Sequence, residues 1–257
     1  MTRFQPLNNV EHKDLKIITE RSARYGDDVW YVPTFPTEFR QVQRHYPIFF
    51  VRHSKTGEVM AVALLGLEKG ENLFLTDEGW DASYIPLNIL RQPLLVGYQE
   101  QQDYGETVRE PVVSVDMDSP RVSEQEGESL FLEHGGNSDY LEHMSGMLKL
   151  LLEGSHRAKA FYELLDEYGL LESFVLDAQL DDGSEHRLSG FHAIREEGVR
   201  KLNAEQLKDL NDRGYLEAIY MAIASQSHLA DLMERKNWNL RLGTVSQDDE
   251  LVSDATG

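Results

Sequence analysis

With 257 residues, of which 40% are hydrophobic and 27% charged, the chain can form one large or two small domains with a sizeable core, and it is too apolar for disorder. Its formal charge of −20 argues against nucleic-acid recognition, which needs clustered Lys and Arg, and against docking on an anionic membrane surface. The absence of cysteine removes disulfides, cysteine-ligated zinc, iron–sulfur clusters and thiol nucleophiles together.

The opening residues MTRFQPLNNVEHKDLKI lack the continuous apolar stretch of a secretory signal. The longest apolar run, Met60 to Leu67, falls far short of the roughly 20 residues a spanning helix needs. The reading is a cytoplasmic chain without membrane insertion. Residues 1–29 read as a polar N-terminal extension, 30–242 as one domain and 243–257 as an acidic, mobile tail.

Within that domain, 30–122 favours strands. Residues 37–47 (TEFRQVQRHYP) predict a two-turn helix capped by Thr37, with Phe39, Val42 and Tyr46 on one face and Pro47 ending it. YPIFFVR and EVMAVALLGL flank HSKTG as a hairpin with Gly57 in its turn. ENLFLTDEGWD predicts a third strand broken at Asp77–Gly79. A proline-limited stretch (SYIPLNILRQPLLVG) and a polar loop near QEQQDYGET come next. The strand VVSVDMD then ends before Pro120.

From Ser138 the period changes. Leu141, Met144, Met147, Leu148, Leu151, Ala158, Phe161 and Leu165 recur at three and four, predicting an amphipathic helix capped by Ser138 and stopped by Gly169. Gly146 and Gly154 suit a bend or a close backbone approach. Residues 174–194 predict a second hairpin turning at Asp182-Gly183. Two helices follow, one between Asn203 and Gly214 and one over YLEAIYMAIASQSHLADLMERK. The fold class is therefore α+β: a strand-rich N-terminal half with antiparallel hairpins, then a helix-rich half (138–240) carrying one inserted hairpin.

The most pointed chemistry lies in VVSVDMDSPRVSE. Asp116 and Asp118 share a strand face, so they repel unless solvated, bound to a cation or paired with a base such as Arg121. These three are the candidate catalytic residues; the competing reading is an Asp-capped turn ahead of Ser119-Pro120. Trp80, Tyr84 and Arg91 are candidate ligand- or partner-binding residues, with plugging of a sheet end as the competing reading for the Trp. For metals, His134, His143 and Asp139 have the composition of a two-His-one-carboxylate set, but His134 precedes the helix. His12-Lys13-Asp14 sits in the extension. His186 and His192, evenly spaced on one strand, can share a face but lack a third ligand. No metal is assigned. Neither a G-x-S-x-G elbow nor a G-x-G-x-x-G or P-loop occurs, and Ser225 and Ser227 beside His228 fall on a helix. No cofactor is therefore identified.

The succession YPIFFVR, GLEKGENLFLTDEGWDASYIPLNILRQP, VDMDSPRVSEQEGESLFLEHGGNSDYL, LLESFVLDAQLDDGSEHRLSGFHAI and YLEAIYMAIAS resembles the bacterial SapC family from about Pro36 to Leu232. The family-like positions are Trp80, Tyr84, Ile85, Pro86, Arg91, Asp116, Asp118, Pro120, Arg121, Gly127, Gly183, Leu188 and Gly190. The chain departs from the pattern at Leu132-Glu133-His134-Gly135 and at Phe191-His192, which removes His134 and His192 from a shared role. The resemblance implies a link to surface-layer formation or export. It also implies a genomic setting beside halogenase-like and cupin-like proteins and TonB-dependent receptors. It brings no catalytic set.

Two functions stay open. One is a soluble accessory or binding protein of a surface, uptake or tailoring system, with a protein, peptide or small-molecule partner. The other is a metal-dependent oxygenase or tailoring enzyme using Asp116, Asp118 and Arg121.

Overall fold

The computed structural model describes residues 3–103 and 106–254, with side chains described except at 101–103, 106–108 and 243–254. In chain order the strands begin with β1 (Phe4–Pro6), β2 (Lys16–Ile17) and β3 (Tyr31–Thr34), followed by helix α1 (Phe39–Val42). Strands β4 (Ile48–Arg52), β5 (Val59–Leu64), β6 (Leu75–Thr76) and β7 (Gly79–Trp80) precede α2 (Leu87–Leu90). Next come β8 (Leu94–Asp103), β9 (Glu106–Asp116), β10 (Val122–Ser123) and β11 (Glu128–Ser129). The long helix α3 (Asp139–Glu167), the hairpin β12 (Leu171–Gln179) and β13 (Glu185–Ile194), and helices α4 (Glu196–Arg200), α5 (Ala204–Asp212), α6 (Tyr215–Ser225) and α7 (His228–Asp254) complete the chain. The class is α+β, as its sequence pattern indicates.

The chain divides into two compact units, each drawn from separated segments: residues 1–27 with 75–157, and 28–74 with 158–257. The second unit is built on a five-stranded sheet ordered β12-β13-β4-β5-β3. The hairpin β12–β13 lies between helices α3 and α4 in the chain, as its sequence pattern indicates. Its second strand pairs with β4 (Phe191 with Val51, His192 with Phe50), so the two expected hairpins form one antiparallel sheet. Strand β4 is apolar at successive positions because both its faces are covered. Phe49 stacks with Phe174 at 4.5 Å, and Phe50 meets Tyr162 at 6.4 Å. Tyr162 also closes the ladder's end, its hydroxyl accepting the Ala61 N–H at 3.1 Å and donating to the Thr34 carbonyl at 3.3 Å. Ser225, fully buried, accepts the Ile48 N–H at 2.9 Å and donates to the Ala222 carbonyl, linking α6 to β4.

Several local expectations meet their physical test. All eight periodic positions of α3 are buried, and Ser138 Oγ accepts the Leu141 N–H at 3.1 Å. Gly169 takes φ +60° past the helix end, and Asn203 forms a capping box with Gln206. Phe39, Val42 and Tyr46 are buried as predicted, but the cap position of α1 is Glu38, without a side-chain cap bond, rather than Thr37.

Other expectations are corrected. ENLFLTDEGWD does not join the sheet; Leu75–Thr76 and Gly79–Trp80 form a two-stranded turn of their own. The polar stretch near QEQQDYGET is mostly strand: β8 and β9 pair from Leu94–Val115 out to Asp103–Glu106, and Tyr104 and Gly105 lie outside the described residues. Propensity gave no sign of this, because Gln and Glu are weak strand formers. The last predicted helix is two, parted at Gln226-Ser227. Gly146 meets no neighbour within 4 Å, so no backbone approaches it. Helix α7 continues through Asp254, and residues 255–257 of the tail lie outside the described residues.

In the first unit, β1 pairs with β9, and β2 is the middle strand between β10 and β11. Both β1 and β2 lie in the stretch read as an N-terminal extension. Gly127 makes the second pairing possible: it has φ +109°, and a Cβ there would lie 2.4 Å from the Ile17 carbonyl oxygen.

Two stability predictions follow from this packing. Gly127→Ala combines a left-handed backbone with a backbone clash, and should lower the unfolding free energy by about 2 kcal/mol or more in urea titrations, whereas Gly146→Ala should leave it unchanged or raise it by up to about 1 kcal/mol. Burial pushes the Tyr162 phenol up to about 12. The folded state then holds a proton that the unfolded chain releases from about pH 10, so stability falls as pH rises from about 10 towards about 12; Tyr162→Phe should reduce that fall.

Candidate functional site

Strand β9 delivers the Asp116–Arg121 stretch, and its turn sets the three candidate residues apart. Asp116 Oδ1 accepts the Asp118 N–H at 3.1 Å, while Asp118 is exposed and takes the Arg3 backbone N–H on Oδ2 at 2.9 Å. The Ser119 N–H returns to the Asp116 carbonyl at 3.2 Å, and the Val122 N–H to the Ser119 carbonyl at 3.1 Å. These are the bonds of an Asx-type turn, each carboxylate satisfied by backbone.

Arg121 turns inward and is 0% exposed. Its carbonyl accepts the Ile18 N–H at 2.9 Å. Its guanidinium donates to the Ile18 carbonyl at 3.0 Å, the Glu20 carbonyl at 2.7 Å and Asp27 Oδ2 at 2.5 Å. Its planar head lies 5.4 Å from the Tyr25 ring centroid. Asp27, also 0% exposed, accepts the Ser22 N–H at 3.1 Å and a longer contact from Arg21 at 3.5 Å. Arg21 in turn donates to the Ile89 and Leu90 carbonyls at the end of α2. Burial, reinforced by the like charge of Arg121, lowers the Arg21 pKa from its ordinary value; burial raises that of Tyr140 beside the cluster. Two guanidiniums thus share one buried carboxylate, with Arg121 Nε and Ser22 Oγ left without hydrogen-bond partners. The arrangement ties the loop 18–27 to β10 and to α2. Asp27, which completes it, carries no sequence motif; only the presence of a buried Arg implies such a partner.

The ligand candidates are half-buried. Trp80 pairs across β6–β7 with Leu75, and Tyr84 lies in the following loop. Arg91 donates to Asn88 Oδ1 at 2.9 Å and to the Leu94 carbonyl at 3.1 Å, while burial lowers its pKa.

The histidine candidates do not converge. His134, His143 and Asp139 are all exposed. His12 is buried, its Nδ1 accepting the Asn8 N–H and its Nε2 meeting Gln5 Oε1 at 3.0 Å. The even spacing of His186 and His192 misleads. The register shifts between Phe174–Phe191 and Leu176–Leu188, an extra residue in β13 beside Gly190 (φ +86°), so their side chains take opposite faces. Among the described residues no three metal-ligating side chains are grouped to hold an ion.

An open cleft of about 470 Å3 in the second unit is lined by Glu167, Tyr168, Glu205, Asp209, Asp212 and Arg213, among others. It contains none of the candidates from the sequence.

The feature that sequence missed altogether is an open sheet edge. In the sheet β1-β9-β8, the Val113 carbonyl accepts the Leu7 N–H at 2.8 Å, so odd positions of β9 point away from β8. That turns Pro111, which has no N–H, outward and blunts the β9 edge beyond β1. Gly97 opposes Val112, an inward-facing residue, so Gly97 points at β9 and its neighbours Val96, Tyr98 and Glu100 turn their backbone groups outward. Leu94 shares their outward sense and is already engaged, its N–H on the Arg91 carbonyl and its carbonyl on the Arg91 guanidinium. No described group pairs with the backbone of Val96, Tyr98 or Glu100. Tyr98 is 50% exposed, with Arg109 5.8 Å from its ring centroid.

The family model of SapC matches residues 7–232. This chain belongs to the SapC family. The SapC match takes in Arg21, Asp27, the 116–121 turn and the β8–β9 hairpin, and it reaches into both units. No curated protein and no solved structure matches the chain. Among the described residues of this SapC protein, no helix is long and apolar enough to cross a membrane.

The buried cluster yields a contrast in stability. Asp27→Asn strands two buried guanidiniums and should cost about 3–5 kcal/mol in chemical denaturation. Asp118→Asn, at an exposed turn position, should change stability by no more than about 0.5 kcal/mol.

Proposed function

We propose that this SapC-family chain is an accessory or binding protein of a bacterial surface, uptake or tailoring system, and that it works by docking a protein partner on the free edge of β8. The observation that carries this reading is the run of outward backbone groups at Val96, Tyr98 and Glu100, on an edge strand carrying no proline or lysine to block it. Natural edges are normally blunted or covered, and an open one accepts a further strand. The alternative, a reaction centred on Asp116, Asp118 and Arg121, is less well supported. The two terminal nitrogens of the arginine are committed to Ile18, Glu20 and Asp27 deep in the interior, and the two carboxylates hold a turn.

Site-specific photocrosslinking in the native bacterium tests the docking reading. Tyr98→p-benzoylphenylalanine should give adducts of discrete mass, abolished by a second change, Val96→Pro, which removes one outward N–H and leaves the β8–β9 bonds intact. The same probe at Lys159, exposed on α3, should not give them. Identical adducts from both positions, or adducts indifferent to Val96→Pro in a protein that still folds, would overturn it.

A further inference from the structure

We infer that the strand added to β8 is an extended cationic segment of the partner, with a Lys or Arg placed beside Glu100; this rests on the docking reading above. Three observations converge on it. From Tyr98 to Glu110 the hairpin carries Glu100, Asp103, Glu106 and Glu110 against Arg109 alone, on a chain of formal charge −20. A second copy of the chain, bringing the same acidic ribbon and the same net charge, is repelled from that edge.

Side chains of Val96, Tyr98 and Glu100 share one face of the strand because they alternate with period two. An incoming strand bonded to the outward groups of these residues therefore presents every second side chain to an apolar, an aromatic and an acidic neighbour in turn. A cation beside Glu100 gains its charge, and its methylene stem lies along the half-exposed Tyr98 ring, where Arg109 already shows that a guanidinium is accommodated.

The start of the strip is fixed as well. Arg91 occupies the outward groups of Leu94, so an added strand cannot extend past that point and its register begins at Val96.

The test uses the full chain and fluorescein-labelled decapeptides read by fluorescence anisotropy: alternating Lys–Val, alternating Glu–Val, and Lys–Val interrupted by a central proline. Only the uninterrupted Lys–Val peptide should bind measurably. Binding should weaken with added salt, fall about fivefold with Glu100→Lys, and vanish with Val96→Pro while the far-ultraviolet circular dichroism of that variant is unchanged. Equal binding of the Glu–Val peptide, or Lys–Val binding that survives Val96→Pro, would overturn the inference, the latter assigning the peptide to the acidic surface at large. Should Val96→Pro fail to fold, Val96→N-methylalanine, which removes the same N–H, takes its place with the same expected losses. Concentration-dependent dimerisation of the chain that Val96→Pro abolishes would also overturn it, in favour of a second copy. Discrete adducts at position 98 without Lys–Val binding would reject the cationic segment and leave the docking reading standing; absence of both would reject the two together.

Discussion

The ion pair between Arg121 and Asp27 is the constraint around which the first unit is organised. Both side chains are fully removed from water, and desolvation on that scale is tolerated only when the charges are paired and most of their polar atoms are hydrogen-bonded. The guanidinium holds the carbonyls of Ile18 and Glu20, the carboxylate holds the Ser22 N–H, and Arg21 carries the network on to the end of α2. A loop, residues 18–27, whose regular structure is one short 3-10 turn, Ala23–Tyr25, is thereby fixed by charge and hydrogen bonding together with the buried Tyr25 ring beside the Arg121 guanidinium. The β9 turn supplies the geometry: its two aspartates bend the chain so that Arg121 enters the interior and Val122 enters a sheet with β2.

That division of labour bears on function. A residue type associated with anion binding and catalysis is here a fixture of the interior, and the aspartates that accompany it in sequence serve the turn that puts it there. The exposed counterpart is the stretch Tyr98–Glu100 of β8 in the same ribbon. Ser114 lies over Gly97, where a Cβ would stand 2.2 Å from its hydroxyl oxygen, so the buried end of the ribbon is closely packed while Tyr98, Gln99 and Glu100 are exposed. One strand pair thus runs from the buried network to the edge at Val96, Tyr98 and Glu100 that is proposed to dock a partner.

Much of the fold was legible in the sequence wherever the signal is local. The burial of Phe39, Val42 and Tyr46, the α3 stripe from Leu141 to Leu165 and the Asn203 cap all follow from periodicity and capping within a dozen residues. What escaped depends on distance along the chain or on one inserted residue. The pairing of β13 with β4 joins residues about 140 apart, for which no local pattern exists. The extra residue near Gly190 reverses side-chain alternation and separates His186 from His192. Asp27 lies far from Arg121 in sequence, and the β8 edge is written in glutamines that read as loop.

The central claim is that Arg121 is held as half of an internal ion pair. A double-mutant cycle measures this most directly, comparing the unfolding free energies of Asp27→Asn, Arg121→Met and the combined variant. The account predicts a coupling of about 2 kcal/mol, the double variant being much less destabilised than the sum of the single ones. Additivity within about 0.5 kcal/mol would show that the two side chains do not depend on each other, and would return Arg121 to the candidates for chemistry.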